Sequence, residues 1–399
     1  MTRAALRKNL AAALPLLGIV AVLIGLFVLS ERTSERPPSP FARAIVAVPA
    51  PLPSRIASPA RPLATRVSPT TGRAEMQVCG GTWIGVDENG VVESEPLLAM
   101  QERLARETEP GVLASMAASG EPRTVATGLQ LRWLMSGRGP DPAGREAFET
   151  LVGMATVTRD PEVYGTAYET CVDARAKAVD TAVPPARCAL LTTAQWTALD
   201  AGNAFPWLVR AEEAHRRGEP TEEDDALWQA SQAPLFESLW APSIGRVMAH
   251  VPDGDGERLW GALGVAVGTV GLYASQSTSV FRVLRSCATA ALVDARRRDT
   301  CERLATRVTA IADTLIWRSV GGAMGRNVGW SDETLAAVAT DTRAYMEAFG
   351  SLEAAVAPED CGAVRRDVER FREVGRLGEI GMVRRALAAR AGASAVPLR

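Results

Sequence analysis

The side chains that most enzymes use for nucleophilic or proton-transfer chemistry are scarce in this chain. Its only histidines are His215 and His250, and its only lysines are Lys8 and Lys177. Serine triads, cysteine–histidine dyads, paired-histidine zinc sites and Schiff-base lysines all require such side chains near defined partners. Neither histidine has a partner at such a spacing. The sequence therefore predicts no catalytic motif of these kinds, no cofactor and no metal site.

A calcium loop is the nearest approach to a metal motif. Asp253, Asp255 and Glu257 have the spacing of its first three ligands. Arg258 and Gly264 occupy the positions where the loop requires a glycine and a bidentate glutamate. We interpret this segment as a turn.

Carboxylate catalysis needs only aspartate or glutamate, so it stays an alternative. Glu237-Ser238 resembles the Glu-Ser pair of lytic transglycosylases, but the Gly-Leu-Met-Gln motif of that family does not follow it. An enzyme of this kind would need two acids that converge in a cleft.

Six cysteines have an order that suggests disulfides, and no two are spaced as C-x-x-C, which argues against zinc ribbons. One pair flanks the break at Pro184-Pro185 and another flanks a polar turn, so each pair could join two antiparallel helices. Six buried thiols are the alternative. The expected pairs are Cys171 with Cys188, Cys287 with Cys301, and Cys79 with Cys361.

An uncharged apolar run from Leu10 to Leu29 predicts a transmembrane helix over residues 10–30. Twenty residues at 1.5 Å per residue span roughly 30 Å, the thickness of the hydrocarbon core. Arg3, Arg7 and Lys8 favour a cytoplasmic end at residues 1–9. We predict an uncleaved signal anchor in a bacterial-type inner membrane, with the rest of the chain periplasmic. A cleaved signal peptide and a buried soluble helix are the alternatives.

Residues 31–73 contain nine prolines and predict a disordered, extended stalk. Charge divides near its end. Residues 1–73 carry ten basic and two acidic residues, whereas residues 74–399 carry 34 basic and 44 acidic residues, a net charge of −10. Because nucleic-acid binding needs a basic surface on the folded part, we expect no nucleic-acid partner.

Residues 74–399 predict an all-α region of antiparallel helical hairpins, which could form one elongated domain or two compact ones. Helix-start signals occur at Ser94, Asp141-Pro142, Asp160-Pro161 and Ser331. Further helices are predicted over 257–273, 276–290, 296–310, 311–325, 359–376 and 378–391. A small β-hairpin is expected near residues 82–93, with strands Thr82–Val86 and Val91–Glu93.

Four glycines at helical spacing lie in the uncharged stretch Trp260 to Ala274. A second membrane helix with a small-residue face would suit the pair Gly264 and Gly268. The stretch has only about 15 residues, short of the ~20 that a span needs, so we predict a tightly packed core helix. The glycines are Gly261, Gly264, Gly268 and Gly271.

Residues 196–233 resemble a tetratricopeptide-repeat hairpin. Trp207 stands at the first aromatic position of the repeat, and Gly218 stands at the turn between its helices, while Arg210 replaces a leucine. The resemblance implies stacked helix pairs, or an α-solenoid, of the class that binds proteins or peptides in a concave groove. The small positions of the repeat match Ala211, Ala226 and Ala233.

These features together predict a membrane-tethered extracytoplasmic scaffold that binds an unidentified protein or peptide. We expect it not to be an enzyme. The alternatives are a carboxylate-dependent envelope enzyme and a structural or assembly factor in which the anchor and stalk matter most.

Overall fold

A computed structural model describes residues 65–70, 72–79, 81–86, 94–136, 142–177, 186–276, 283–352 and 361–394. The predicted anchor at residues 10–30 and most of the predicted stalk lie outside these ranges. Within them, no helix is both long enough and apolar enough to cross a membrane. The chain divides into two compact units, residues 1–100 with 357–361 and residues 101–356 with 362–399.

The first unit contains a small antiparallel sheet in the order β1-β2-β3. Strand β1 (Thr65–Val67) pairs with β2 (Ala74–Gln77), which pairs with β3 (Trp83–Gly85). Met76 and Ile84 are directly opposed on β2 and β3, and both are buried. Such cross-strand apolar pairs fix the register of a sheet that has one buried face.

Strand β3 lies within the predicted strand Thr82–Val86 and pairs with β2, because the chain reverses between Val78 and Thr82. The Val78 amide donates to the Thr82 carbonyl at 2.9 Å. The second predicted strand, Val91–Glu93, lies outside the described residues. Strand β1 lies inside the segment expected to be stalk. There Gly72 adopts a left-handed φ of 67°, which allows the return to β2.

The remaining described elements are mostly helical, as predicted. Helix starts follow the sequence signals: Asp160 accepts hydrogen bonds from the amides of Glu162 and Val163, at 2.9 and 3.2 Å, as an N-cap. The helices are α1 (Ser94–Ala118), α2 (Pro122–Met135), α3 (Pro142–Val157), α4 (Pro161–Lys177), α5 (Thr193–Leu199), α6 (Ala204–Arg217), α7 (Pro220–Gln232), α8 (Trp240–His250), α9 (Glu257–Gln276), α10 (Ala295–Ile311), α11 (Leu315–Val328), α12 (Asp332–Leu352) and α13 (Cys361–Ser394).

The predicted helix over residues 276–290 is found only in part. Residues 277–282 lie outside the described residues, residues 283–286 are helical, and Thr289–Ala291 form a short 3-10 turn. The predicted break near residue 377 appears as a kink in α13 at Gly378, where φ is 69° and ψ is 166°. Only glycine adopts this backbone conformation readily.

The glycine-rich helix α9 is a core helix. A Cβ atom at Gly261 would lie 2.3 Å from Thr108 Oγ1 and 2.9 Å from the Leu104 carbonyl oxygen. A Cβ atom at Gly264 would lie 2.8 Å from the Ala105 Cβ. The glycines therefore let α9 approach α1 at a distance that larger residues would prevent.

An aromatic cluster holds the centre of the second unit. Trp196 on α5 contacts Tyr168 on α4 and Phe205 on α6, with ring centroids 5.6 and 5.8 Å apart. Phe205 in turn meets Trp317 on α11 edge-on at 6.1 Å. This packing fixes the start of α6, the helix on which the candidate site is built.

Candidate functional site

The hairpin of α6 and α7 is shaped by its two ends. Asn203 caps α6, accepting from the Phe205 amide at 3.2 Å and donating to Asp200 and to the Glu237 carbonyl, both at 2.9 Å. At the other end Gly218 has a left-handed φ of 71°, and its amide donates to the His215 carbonyl at 3.1 Å. Pro220 then begins α7 at once. Glycine at the end of one helix and proline at the start of the next produce a tight reversal.

Small side chains let the two helices pack closely. Ala211, Ala226 and Ala233, which the sequence analysis selected as small packing positions, are 1%, 2% and 3% exposed. A larger side chain at any of them would push α7 away from α6. The hairpin is therefore a rigid support for whatever its outer face carries.

That outer face carries an open groove of about 620 Å³ between the two helices. Its walls combine one large aromatic ring, one proline ring and several charged side chains. The lining residues are Trp207, Arg210, Glu219, Pro220, Thr221, Glu222, Asp225, Ala226 and Gln229.

Trp207 is the only tryptophan in this lining, and its ring is held in place. It is half-buried, and its indole N–H donates to the Ala201 carbonyl at 3.0 Å. The Arg210 guanidinium lies 5.7 Å from the ring centroid. Arg210 is itself fixed, since it donates to Glu222 Oε1 at 2.9 Å and to Thr197 Oγ1 at 3.3 Å. The groove thus presents a pre-oriented aromatic surface.

Arg217 pairs with two carboxylates of the groove lining. Its guanidinium lies 2.8 Å from Glu219 and 2.6 Å from Glu222. Hydrogen bonding with Glu219, and then with Arg210 and Arg217, lowers the pKa of the Glu222 carboxyl below its ordinary value. Hydrogen bonding to Glu219 and Glu222 likewise raises the pKa of Arg217. Glu222 and Arg217 are therefore charged at neutral pH and are paired with each other.

An ion-pair cluster with a nearly buried centre links α7 to α10. Arg297 on α10 donates to Glu223 Oε1 at 2.9 Å, to Asp224 and to the Ser286 carbonyl. The side chains of Arg297 and Glu223 are 10% and 7% exposed. His215 Nδ1 lies 3.1 Å from the other oxygen of Glu223. Burial acts to raise the pKa of Glu223, but hydrogen bonds from Ser286, Arg297 and His215 outweigh it and lower that pKa. We call Arg297, Glu223, Asp224 and His215 the clamp.

All six cysteines lie in the three pairs that the sequence order suggested. Their Cα atoms are 5.8 Å apart for Cys171 and Cys188, and 5.7 Å apart for Cys287 and Cys301. The Cα atoms of Cys79 and Cys361 are 5.2 Å apart. These distances are normal for disulfides. The pair Cys287 and Cys301 brackets the start of α10, the helix that carries Arg297.

A second group of interest surrounds Asp313. Its Oδ2 atom accepts from the amide and the hydroxyl of Ser238, both at 2.8 Å. Its Oδ1 atom is buried and, among the described residues, accepts no hydrogen bond from a neighbour. Burial raises the pKa of Asp313 to about 6, with a further contribution from the charge of Glu237. Glu237 itself is exposed.

The other residues that the sequence analysis considered have structural partners. His250 ends α8, and its Nδ1 atom lies 2.8 Å from Ser115 Oγ. Asp253 and Asp255 pair with Arg372 and Arg365. The described residues contain no group of three or more His, Cys, Asp or Glu side chains arranged to hold a metal ion.

Sequence reasoning identified Trp207 and the small positions of the hairpin but missed the charged half of the groove. Arg210 was noted only as a departure from a leucine position. A signal for the charged half was present in the acidic run Glu222, Glu223, Asp224 and Asp225. Consecutive acids on a helix face different directions, so the run indicates ion pairs on several sides of α7.

Comparisons with known protein families, with curated proteins and with solved structures find no match to this chain.

Proposed function

We propose that this chain is a membrane-tethered, extracytoplasmic helical scaffold that binds a peptide segment of a partner protein in the groove between α6 and α7. The observation that carries the proposal is the immobilised ring of Trp207 in an accessible groove. Tryptophan is enriched among residues that dominate binding energy, because it offers a large contact area and loses little conformational entropy.

Pre-organisation supports this assignment. The clamp holds α7 on one side, and Asn203 and Gly218 fix the ends of α6. A groove whose walls do not rearrange avoids part of the entropic cost of binding. The polar side chains Thr221 and Gln229 stand on the same wall and can hydrogen-bond a peptide backbone.

The proposed location rests on the sequence. The apolar run at residues 10–30 supplies the anchor, and residues 31–73 supply most of the spacer. Three cysteine pairs at disulfide distance suit an oxidising compartment such as the periplasm. The resemblance of residues 196–233 to a tetratricopeptide repeat is kept as part of the proposal, since repeats of that class bind peptides.

The proposal assigns no catalytic step. Asp313 has the raised pKa that a general acid needs, but its free oxygen is enclosed and its bonded oxygen is occupied by Ser238. A carboxylate-dependent enzyme is therefore less well supported than a binding scaffold. A structural or assembly role would instead make residues 1–73 indispensable, which replacement by an unrelated anchor would test.

The experiment is a peptide-display selection against the full chain in detergent or nanodiscs. Selected peptides should bind the Trp207→Ala variant at least ~10-fold more weakly than the wild type, because the aromatic surface is lost. Trp228→Ala is the matched control, since Trp228 lies on α7 outside the groove lining and stacks with Arg303 at 4.7 Å. Equal losses in both variants, or no selected peptide, would contradict the proposal.

A further inference from the structure

We infer that the groove selects a peptide carrying a cationic side chain, arginine or lysine, which pairs with Asp225 beside the Trp207 ring. This inference rests on the proposed function and adds the chemistry of the partner. Four features of the groove support it: the charge of its lining, the ion pairs that already engage its other charged side chains, the guanidinium of Arg210 beside Trp207, and the position of Asp225.

The charge of the lining is negative. Glu219, Glu222 and Asp225 contribute three carboxylates, and Arg210 contributes one cation. Residues 74–399 also carry a net charge of −10. Arg217 and Arg296 pair with the groove carboxylates from outside the lining. The attraction of a basic segment therefore comes from the net charge of the region and from Asp225, whose ion pair is exposed.

Most of these charges are already engaged. Arg210 donates to Glu222 and Thr197, and Arg217 pairs with Glu219 and Glu222. Asp225 differs in that its ion pair is exposed. It lies 3.6 Å from Arg296, and the side chains of Asp225 and Arg296 are 65% and 70% exposed. Exposed pairs of this kind contribute little free energy. Asp225 is thus the groove carboxylate that a ligand can recruit at the lowest cost.

The groove already accommodates one guanidinium. Arg210 lies over the Trp207 ring and donates to a groove carboxylate at 2.9 Å. A ligand cation that pairs with Asp225 would lie in a groove whose lining also includes the Trp207 ring. Arginine suits this arrangement best, since its planar group both stacks and donates in pairs.

Asp225 and Gln229 lie four residues apart on α7, so they share one face of the helix. An extended peptide that crosses this face can place a cationic side chain at Asp225 while its backbone meets Gln229. Pro220, at the first turn of α7, adds an apolar surface beside Trp207.

The probes for the test are nine-residue synthetic peptides with arginine, citrulline or glutamate at the central position and otherwise identical sequences from the display selection. Citrulline keeps the shape of arginine without its charge. We expect arginine peptides to bind the full chain about 10-fold more tightly than citrulline peptides, and glutamate peptides more weakly still. Raising the salt concentration should reduce the difference.

Asp225→Asn should remove most of the preference for arginine over citrulline. Asp299→Asn is the control, because Asp299 is an exposed acid on α10 that pairs with Arg303 and is not part of the groove lining. If arginine and citrulline peptides bind equally at the groove, the inference is wrong while the proposed function stands. If no peptide binding depends on Trp207, the proposed function itself is wrong. If Asp299→Asn and Asp225→Asn have equal effects, the selectivity belongs to the overall charge and not to Asp225.

Discussion

At the scale of single residues, the distinction that matters is between ionisable groups with partners and those without them. In the groove, hydrogen bonds with Glu219, Arg210 and Arg217 lower the pKa of the Glu222 carboxyl and keep it charged. Asp313 is the contrasting case, because one of its oxygens has two donors from Ser238 and the other is buried without a donor from the described residues. An acid in this position is more easily accommodated in its protonated form.

Asp313 therefore predicts an unusual pH dependence of stability. Its pKa in the folded state, about 6, exceeds its ordinary value of 3.8, so between these values the folded chain holds a proton that the unfolded chain releases. Stability contributed by this group is thus highest at low pH and is lost as the pH rises through 6. Asp313→Asn should lack this dependence while keeping an oxygen acceptor for Ser238.

The measurement is the free energy of unfolding by urea at pH 5 and pH 7.5. The wild type should gain stability relative to Asp313→Asn on acidification, by about 1.4 kcal/mol between pH 7.5 and pH 5. Asp299→Asn, which changes an exposed acid, should follow the wild type. Parallel pH profiles for Asp313→Asn and the wild type would show that Asp313 does not titrate in this range.

At the scale of elements, the groove depends on how α7 is held. The clamp joins the first turn of α7 to the first turn of α10, and Arg297 and Glu223 are 74 residues apart in the chain. The cysteine pair Cys287 and Cys301 fixes the segment that leads into α10. The binding wall is thus positioned by contacts that lie outside the groove itself.

Arg297→Gln should destabilise the fold by about 3 kcal/mol, because it leaves the carboxylate of Glu223 buried without its main cation. Arg103→Gln is the control, since Arg103 and Glu107 form an exposed pair within one helix and should contribute less than about 1 kcal/mol. Urea unfolding measures both variants. Equal, small losses would show that the clamp contributes no more than a surface ion pair.

At the scale of the whole molecule, the cysteine pairs and the predicted anchor both agree with the proposed oxidising compartment. The pairs Cys171 with Cys188 and Cys287 with Cys301 close short loops, whereas Cys79 and Cys361 are 282 residues apart in sequence. Long-range closure of that kind restricts the unfolded chain strongly.

Intact mass analysis of the full chain from its native membrane fraction should find no thiol available for alkylation under denaturing, non-reducing conditions. Reduction should then expose all six, because each cysteine lies within disulfide distance of its partner. Six alkylated cysteines before reduction would contradict both the pairing and the oxidising location.

Local patterns determined a large part of this structure. The mostly helical content, the helix starts at Ser94 and Pro161 and the break near Gly378 follow from side chains within a few residues of one another. The hairpin of α6 and α7 also follows from local signals, namely small residues along its two helices and a glycine at the turn between them. The order of the cysteines suggested their pairing because two of the pairs flank short breaks.

Only the tertiary structure decided which distant side chains meet. Ser238 reaches Asp313 across 75 positions, and Arg297 reaches Glu223 across 74. No local spacing encodes such contacts, since they depend on how several helices pack against the aromatic cluster. The pairing of Trp83–Gly85 with Ala74–Gln77 was not predicted either. The sequence by itself therefore established the helices, the cysteine order and the aromatic residue of the groove. The fold decided the charges that surround that residue, because burial and ion pairing arise only when remote elements come together.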